Sequence, residues 1–314
     1  MIRGLLLPSR GCSPREAVLT AMEAEKLGYD SIWAPEVASN DAFAILGAIA
    51  FNTTRIRVGT GIVPIFTRSP ALLAMAASTI ADLTMGRAIL GIGVSTPTIV
   101  REWHGREYKH PLSAMRDTIA IVRQGFLGTV TDYRGNDANS TGFRLDRPPD
   151  VAPPIYVAAL GPAMRALARE VGDGVILNFL PASLAEMVVS EFSAHRDGFE
   201  SVTFVHLAVQ DSDGFAEARL RREIASYCQV REYRSWLLSC GLRAVEYGVD
   251  VGINEIAKTL DADFVRDVAV VGNATYCRER LNSLERLGIT PIVVPVTAYG
   301  ELEEYRSVMR AVAP

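Results

Sequence analysis

Short runs rich in Ile, Val and Leu recur along the chain, each followed by a stretch with apolar residues at helical spacing. Residues 2–7 read as a first strand, and Ser13-Pro14-Arg15-Glu16 then caps a helix. Ser13 stands at the N-cap, Pro14 at the first helical position and Glu16 where a capping box needs it, while Gly28 stops the helix. The same alternation predicts strands at residues 30–34, 55–63, 87–93, 154–159, 174–177, 202–209 and 291–296. Helices are predicted from Asp41 to Phe51, from Ser69-Pro70 to Leu83, over 112–126, from Pro162, over 184–195 and over 301–312. Eight strands alternating with helices point to a (β/α)8 TIM barrel in a single domain over residues 1–314. Strands buried on both faces read as continuous apolar runs, as residues 89–94 and 292–296 do.

Two stretches exceed what a minimal barrel needs. Residues 129–153, rich in Gly, Asp, Asn and Pro, read as an exposed loop or small hairpin. Residues 214–287 read as a mostly helical insertion between strands seven and eight.

Charge and composition narrow the class. With 32 basic and 36 acidic residues and only short basic pairs such as Arg221-Arg222, no nucleic-acid footprint is expected. Residues 42–51 form the longest apolar run, about half of what a spanning helix needs, so no membrane partner is expected. The apolar core of MIRGLLLPSR is too short for a signal peptide, so the expected location is the cytoplasm. Cys12, Cys228, Cys240 and Cys277 are scattered and read as reduced thiols, and Asn52, Asn139 and Asn273 as chance glycosylation matches. Four histidines without HExxH or ligand spacing give no metal site.

In such barrels the chemistry sits where strands end. Gly61-Ile62-Val63-Pro64, Gly93-Val94-Ser95 and Ala159-Leu160-Gly161-Pro162 bring glycine to three strand ends, and Asn178 closes a fourth. Glycine lets backbone approach a flat or phosphorylated ligand. Leu160-Gly161-Pro162 opens a helix, so it either holds a phosphate on free N–H groups or is a plain turn with proline at the first helical position. Neither GxGxxG nor GxxxxGK[ST] is present. Glu36, after strand two, is either a proton donor, a cofactor acceptor, or an arginine's salt-bridge partner. His104, in Trp103-His104-Gly105, is either a general acid or a surface residue, and His206 reads as a core histidine.

Taken in order, several blocks resemble the bacterial luciferase-like superfamily of flavin and deazaflavin oxidoreductases. These are residues 56–62, Ser69-Pro70, Ile80-Ala81-Asp82-Leu83, Gly86-Arg87 and residues 90–93. Residues 31–36, Asp41-Ala42-Phe43, Trp103-His104-Gly105, residues 154–162 and Gly172-Asp173-Gly174-Val175 resemble its coenzyme F420 branch. The resemblance spans essentially the whole chain. It implies a homodimeric barrel and a non-proline cis peptide behind the tricyclic ring, here matching Gly61–Ile62. It also implies a phosphate site at Ala159, Leu160, Gly161 and Pro162, with Gly93 and Ser95 beside the cofactor and Glu36 near the ring. Several enzymes of that branch carry a histidine after the acidic residue, where this chain has Val37. Glu36 and His104 are then the catalytic candidates by elimination. No basic cluster suits a sugar phosphate.

The expected activity is hydride transfer between F420 and a C=O, C=N or activated C=C of a small-molecule substrate. The alternatives are an FMN-dependent two-component monooxygenase on the same barrel and a non-catalytic barrel that binds a flavin-like ligand.

Overall fold

A computed structural model of the chain describes residues 2–193, 197–209, 215–242, 251–298 and 301–314. Among them the alternation appears as strands β1 (Gly4–Leu6), β2 (Ser31–Ala34), β3 (Arg57–Thr60), β4 (Ala88–Gly93), β5 (Ile155–Ala158), β6 (Gly174–Asn178), β7 (Glu200–Val209) and β8 (Ile289–Pro295). The helices of the first half are α1 (Pro14–Lys26), α2 (Ala42–Asn52), α3 (Pro70–Leu83), α4 (Pro111–Phe126), α5 (Pro162–Val171) and α6 (Ala185–Ser193). Those that follow are α7 (Phe215–Cys228), α8 (Arg231–Ser239), α9 (Ile253–Thr259), α10 (Ala262–Val268), α11 (Ala274–Arg286) and α12 (Leu302–Ala311).

The chain divides into two compact units. One comprises Leu7–Lys26 and Asp30–Ile176. Here β2, β3, β4, β5 and the start of β6 pair in sequence order, all parallel, because each crossover passes through a helix. All six residues of β4 are buried, as a strand covered on both faces requires. The other unit comprises Met1–Leu6, Leu27–Tyr29 and Leu177–Pro314. Its β8 pairs in parallel with β1 on one side and with β7 on the other.

Local signals place most element ends. Ser13 and Glu16 cap reciprocally: the Ser13 N–H donates to the Glu16 carboxylate at 2.8 Å, and the Glu16 N–H donates to Ser13 Oγ at 3.3 Å. Asp41 and Ser69 cap α2 and α3 by accepting from the Ala44 and Leu72 N–H groups. Near the end of α1, Glu25 accepts the N–H groups of Thr54, Arg55 and Ile56 at 2.8, 2.7 and 3.0 Å, which fixes the approach to β3.

Three predicted elements differ from what the structure holds. The third strand, expected over 55–63, stops at Thr60 and resumes as Val63–Pro64, which pairs with β4. The stretch after strand seven contains helices α7 to α11 together with a short strand, Val270–Gly272, pairing in parallel with β7. Three residues are too few for a period to show. Its expected start at Gly214, and His195 at the end of the predicted sixth helix, lie outside the described residues. Residues 99–103 form a single π-helical turn that the sequence reading left irregular.

Within 129–153, Asp132–Arg134 and Asn139–Thr141 form an antiparallel hairpin. Asp117, buried in α4, binds it by accepting from the Tyr133 hydroxyl (2.9 Å) and from the Asp137 and Ala138 N–H groups (2.8 and 3.1 Å). A Cβ at Gly135 would fall 2.2 Å from that carboxylate. No helix among the described residues is long and apolar enough to cross a membrane.

Candidate functional site

The chain turns sharply after β3, and the Gly61–Ile62 peptide bond is cis, the bond that the resemblance singled out. The turn fits because β4 yields room beside it. Thr60 Oγ1 donates to the Gly91 carbonyl at 2.6 Å, and a Cβ on Gly91 would lie 2.0 Å from the Thr60 carbonyl oxygen. A Cβ on Gly93 would lie 2.8 Å from Ile62 Cδ1. Gly91 therefore admits the backbone of the turn, and Gly93 seats the Ile62 side chain. The Ile65 N–H donates to the Gly93 carbonyl at 2.9 Å, closing the turn onto β4. Two residues on, Ser95 is half-buried with φ +58.

Glu36 ties this turn at both ends. Its backbone N–H donates to the Ile62 carbonyl at 3.3 Å. Its Oε1 accepts from Arg68 Nε at 2.8 Å, and its Oε2 accepts from Arg68 Nη2 at 2.7 Å and from the Ala42 N–H at 3.1 Å. Arg68 also pairs with Asp41 and stands 5.0 Å over the Phe43 ring. Hydrogen bonding to Glu36, and then to Asp41, holds the guanidinium above its usual range. Burial pushes the Asp41 carboxyl up, but the Ala44 N–H and Arg68 outweigh it and hold it below the ordinary value. Of the readings open for Glu36, this geometry fills the arginine partner. Donating a proton from Glu36 requires breaking that pair. Arg68 itself was missed, since its partner lies 32 residues away in the sequence.

His104 follows the π-helical turn and is exposed, and its ring takes no hydrogen-bond partner among the described residues. The loop returns through Tyr108, whose ring packs 5.0 Å from that of Phe66 in the loop after β3.

At the end of β5 the Ala159 N–H donates to the Ile176 carbonyl at 2.9 Å, so that donor is not available to a ligand. Buried Arg165 donates to the Leu160 carbonyl at 2.7 Å. Gly161 caps α5 with no side-chain partner, and a Cβ there would meet nothing within 4 Å. Pro162 brings no N–H, and the first turn of α5 leaves the remaining donors of a helix start pointing outward.

The other unit holds a cluster that the sequence showed only as Asn178 at a strand end and His206 in mid-strand. His206, buried on β7, shares a 3.0 Å hydrogen bond between Nε2 and Asn178 Oδ1, and Asn178 Nδ2 donates to the Tyr233 hydroxyl at 3.2 Å. Phe179, in the left-handed region at φ +47, stacks on the imidazole at 4.0 Å and 7°. Trp236 Nε1–H donates to the carbonyls of Asn178 and Phe179 at 3.2 and 3.1 Å. Burial pushes the His206 pKa down to about 3 and raises that of Tyr233. Tyr233 and Trp236 carried no local signal, since both act from α8 on residues more than fifty positions earlier.

Comparison with known proteins adds the following. The family model described as luciferase-like monooxygenase matches residues 3–291. A 5,10-methylenetetrahydromethanopterin reductase of Archaeoglobus fulgidus is 28% identical over 288 residues, 86% of each chain. Among solved structures, an F420-dependent secondary alcohol dehydrogenase in complex with an F420-acetone adduct superimposes with a TM-score of 0.79 at 18% identity, covering 100% of this chain and 99% of that one. The oxygenating constituent of 3,6-diketocamphane monooxygenase from Pseudomonas putida, in complex with FMN, gives a TM-score of 0.73 at 18% identity, covering 100% and 96%. These likenesses show the fold, a (β/α)8 TIM barrel.

Proposed function

Because the chain belongs to the luciferase-like monooxygenase family, we propose that it is a coenzyme F420-dependent oxidoreductase. On this reading it transfers a hydride between the deazaflavin and a C=O, C=N or activated C=C carbon of a small organic substrate. The room that Gly91 leaves for the turn, with the seat that Gly93 makes for Ile62, is the observation that carries this reading, with the reductase likeness beside it.

The residues present suit such a cofactor. The open cradle at Gly161 and the first-turn N–H groups of α5 would take its phosphate, Ile62 would back the ring, and Ser95 would face the ribityl chain. When bound, F420 supplies the two-electron chemistry. The chain's own part is to hold ring and substrate face to face. Glu36 and Arg68 fasten the turn that carries Ile62, and His104, exposed and with no ring partner among the described residues, takes the proton-delivery role over Glu36. Glu36→Gln is expected to weaken F420 binding and turnover together. A turnover loss far larger than the affinity loss would return the acid role to Glu36.

Titrating F420 and FMN separately, followed by fluorescence, tests the cofactor. Tighter F420 binding is expected. Tighter FMN binding would move the protein to the monooxygenase reading, with oxygen uptake as its assay, and binding of neither would overturn both.

A further inference from the structure

One side chain sets the orientation of the peptide that leads into α5. Arg165 comes just after the first three residues of the helix, and in an α-helix the Cα–Cβ bond leans toward the N-terminus. The side chain therefore runs back past the helix start, and its Nη1 donates to the Leu160 carbonyl at 2.7 Å. The Leu160–Gly161 bond is trans, with its carbonyl and N–H on opposite edges of one plane. With the Leu160 carbonyl turned to the guanidinium, the Gly161 N–H faces the other way.

The start of α5 is open. The N–H groups of Leu160 and Gly161 take no acceptor among the described residues, and neither do those of Ala163 and Met164. Leu160 and Gly161 are half-buried, Pro162 and Ala163 are exposed, and a Cβ on Gly161 would meet nothing within 4 Å. The helices α2 and α3 begin under acceptors of their own, Asp41 and Ser69, whereas Gly161 has no side chain to offer. Charge acts in the same sense. The positive end of a helix dipole favours acidic side chains in the first turn, and α5 has none there, but it buries Arg165 close behind. An anion complements both helix and guanidinium.

We propose, resting on the cofactor reading above, that Arg165 is a positioning residue for the cofactor's phosphate. It holds the Leu160–Gly161 peptide so that the Gly161 N–H joins those of Ala163 and Met164 on the phosphate oxygens. Arg165 acts through that peptide and not by touching the ligand. The consequence is a preference for phosphorylated deazaflavins and flavins over the same rings ending at the ribityl chain.

Affinities of the whole protein for four probes, followed by fluorescence, provide the test. The probes are F420, the same deazaflavin ending at its ribityl chain, FMN and riboflavin, the last two differing by the phosphate alone. Wild type should bind the phosphorylated member of each pair more tightly. Arg165→Met should weaken F420 binding about tenfold or more, the size of a lost hydrogen bond to a charged group, and leave the ribityl compound within about twofold. Gly161→Pro deletes the N–H itself, at a φ of −79 that proline adopts, and leaves the guanidinium in place. It should cost as much as Arg165→Met, and combining the two should add little, because both remove one interaction.

Equal losses for F420 and the ribityl compound in Arg165→Met would make Arg165 a structural residue and overturn its role, as would an unchanged F420 affinity. A loss in Arg165→Met without one in Gly161→Pro would overturn the peptide as intermediary. A wild type that binds both deazaflavins equally would overturn the phosphate cradle, and Arg165's part in it, while the ring reading stands. A wild type that prefers FMN would overturn the F420 reading alone, with FMN and riboflavin then carrying the same comparison for Arg165. Binding of none of the four would overturn both.

Discussion

The ends of β3 and β6 are both places where a strand gives way to a functional loop, and they are shaped by different forces. At β3 the determinant is missing volume. Gly91 and Gly93 on the neighbouring strand leave the space that the Thr60 carbonyl and the Ile62 side chain occupy. At the end of β6 there is no glycine, and the determinant is hydrogen bonding: the Trp236 indole holds Phe179 in a conformation it would not choose alone. One end cannot tolerate an added atom, and the other cannot tolerate a lost donor.

The largest effect should come from adding an atom at β3. Gly91→Ala places a Cβ against backbone rather than against a pliable side chain, so it should cost about 3 kcal/mol or more, the upper end for overpacking. Thermal unfolding checks it, and a loss below about 1 kcal/mol would show that the carbonyl moves aside easily. Next comes the donor at β6. Trp236→Phe keeps a smaller aromatic ring but leaves two carbonyls without the N–H they share, a cost of about 1–3 kcal/mol on top of the packing lost with the larger indole. A neutral result in urea unfolding would break the contrast between the two ends.

The smallest effect tests the start of β3. Burial acts to raise the Glu25 pKa, but the N–H groups of Ile56, Arg55 and Thr54 and the Arg55 charge outweigh it and hold the carboxyl below its ordinary value. A depressed folded pKa stabilises above the unfolded pKa, and the contribution is lost as pH falls through the folded one. Wild type should therefore lose stability faster than Glu25→Gln as pH drops from about 5 toward 3. The side chain is largely solvated, so the difference should stay under about 1 kcal/mol, and parallel curves would remove Glu25 as an anchor.

Much of the fold was legible because its signals are local. Ser69-Pro70, Asp41 and the Ser13–Glu16 box each act within one helical turn, and each marks a real helix start. The glycines at the ends of β3, β4 and β5 were legible for the same reason, since a missing side chain shows in the sequence itself. What pairing across the chain decides was not legible. Nothing beside Glu36 announces Arg68, and nothing beside Asn178 announces His206, Tyr233 or Trp236. The strand Val270–Gly272 escaped because its three residues form a strand only by hydrogen bonding to β7.

The hairpin on α4 has an implication for proteolysis. Arg134 is exposed and lies in a polar, loop-like stretch, the setting in which trypsin usually cuts. A protease must first draw the backbone on either side of the bond into its cleft, and Asp117 grips that backbone from beneath at Asp137 and Ala138. Nicking at Arg134 should therefore be slow, and Arg147, though exposed beyond the hairpin, precedes Pro148 and offers trypsin no alternative bond. The same grip makes the tip of the hairpin a poor place to insert a tag or a loop, because one added residue at Asn136 would carry both N–H groups away from the carboxylate that holds them.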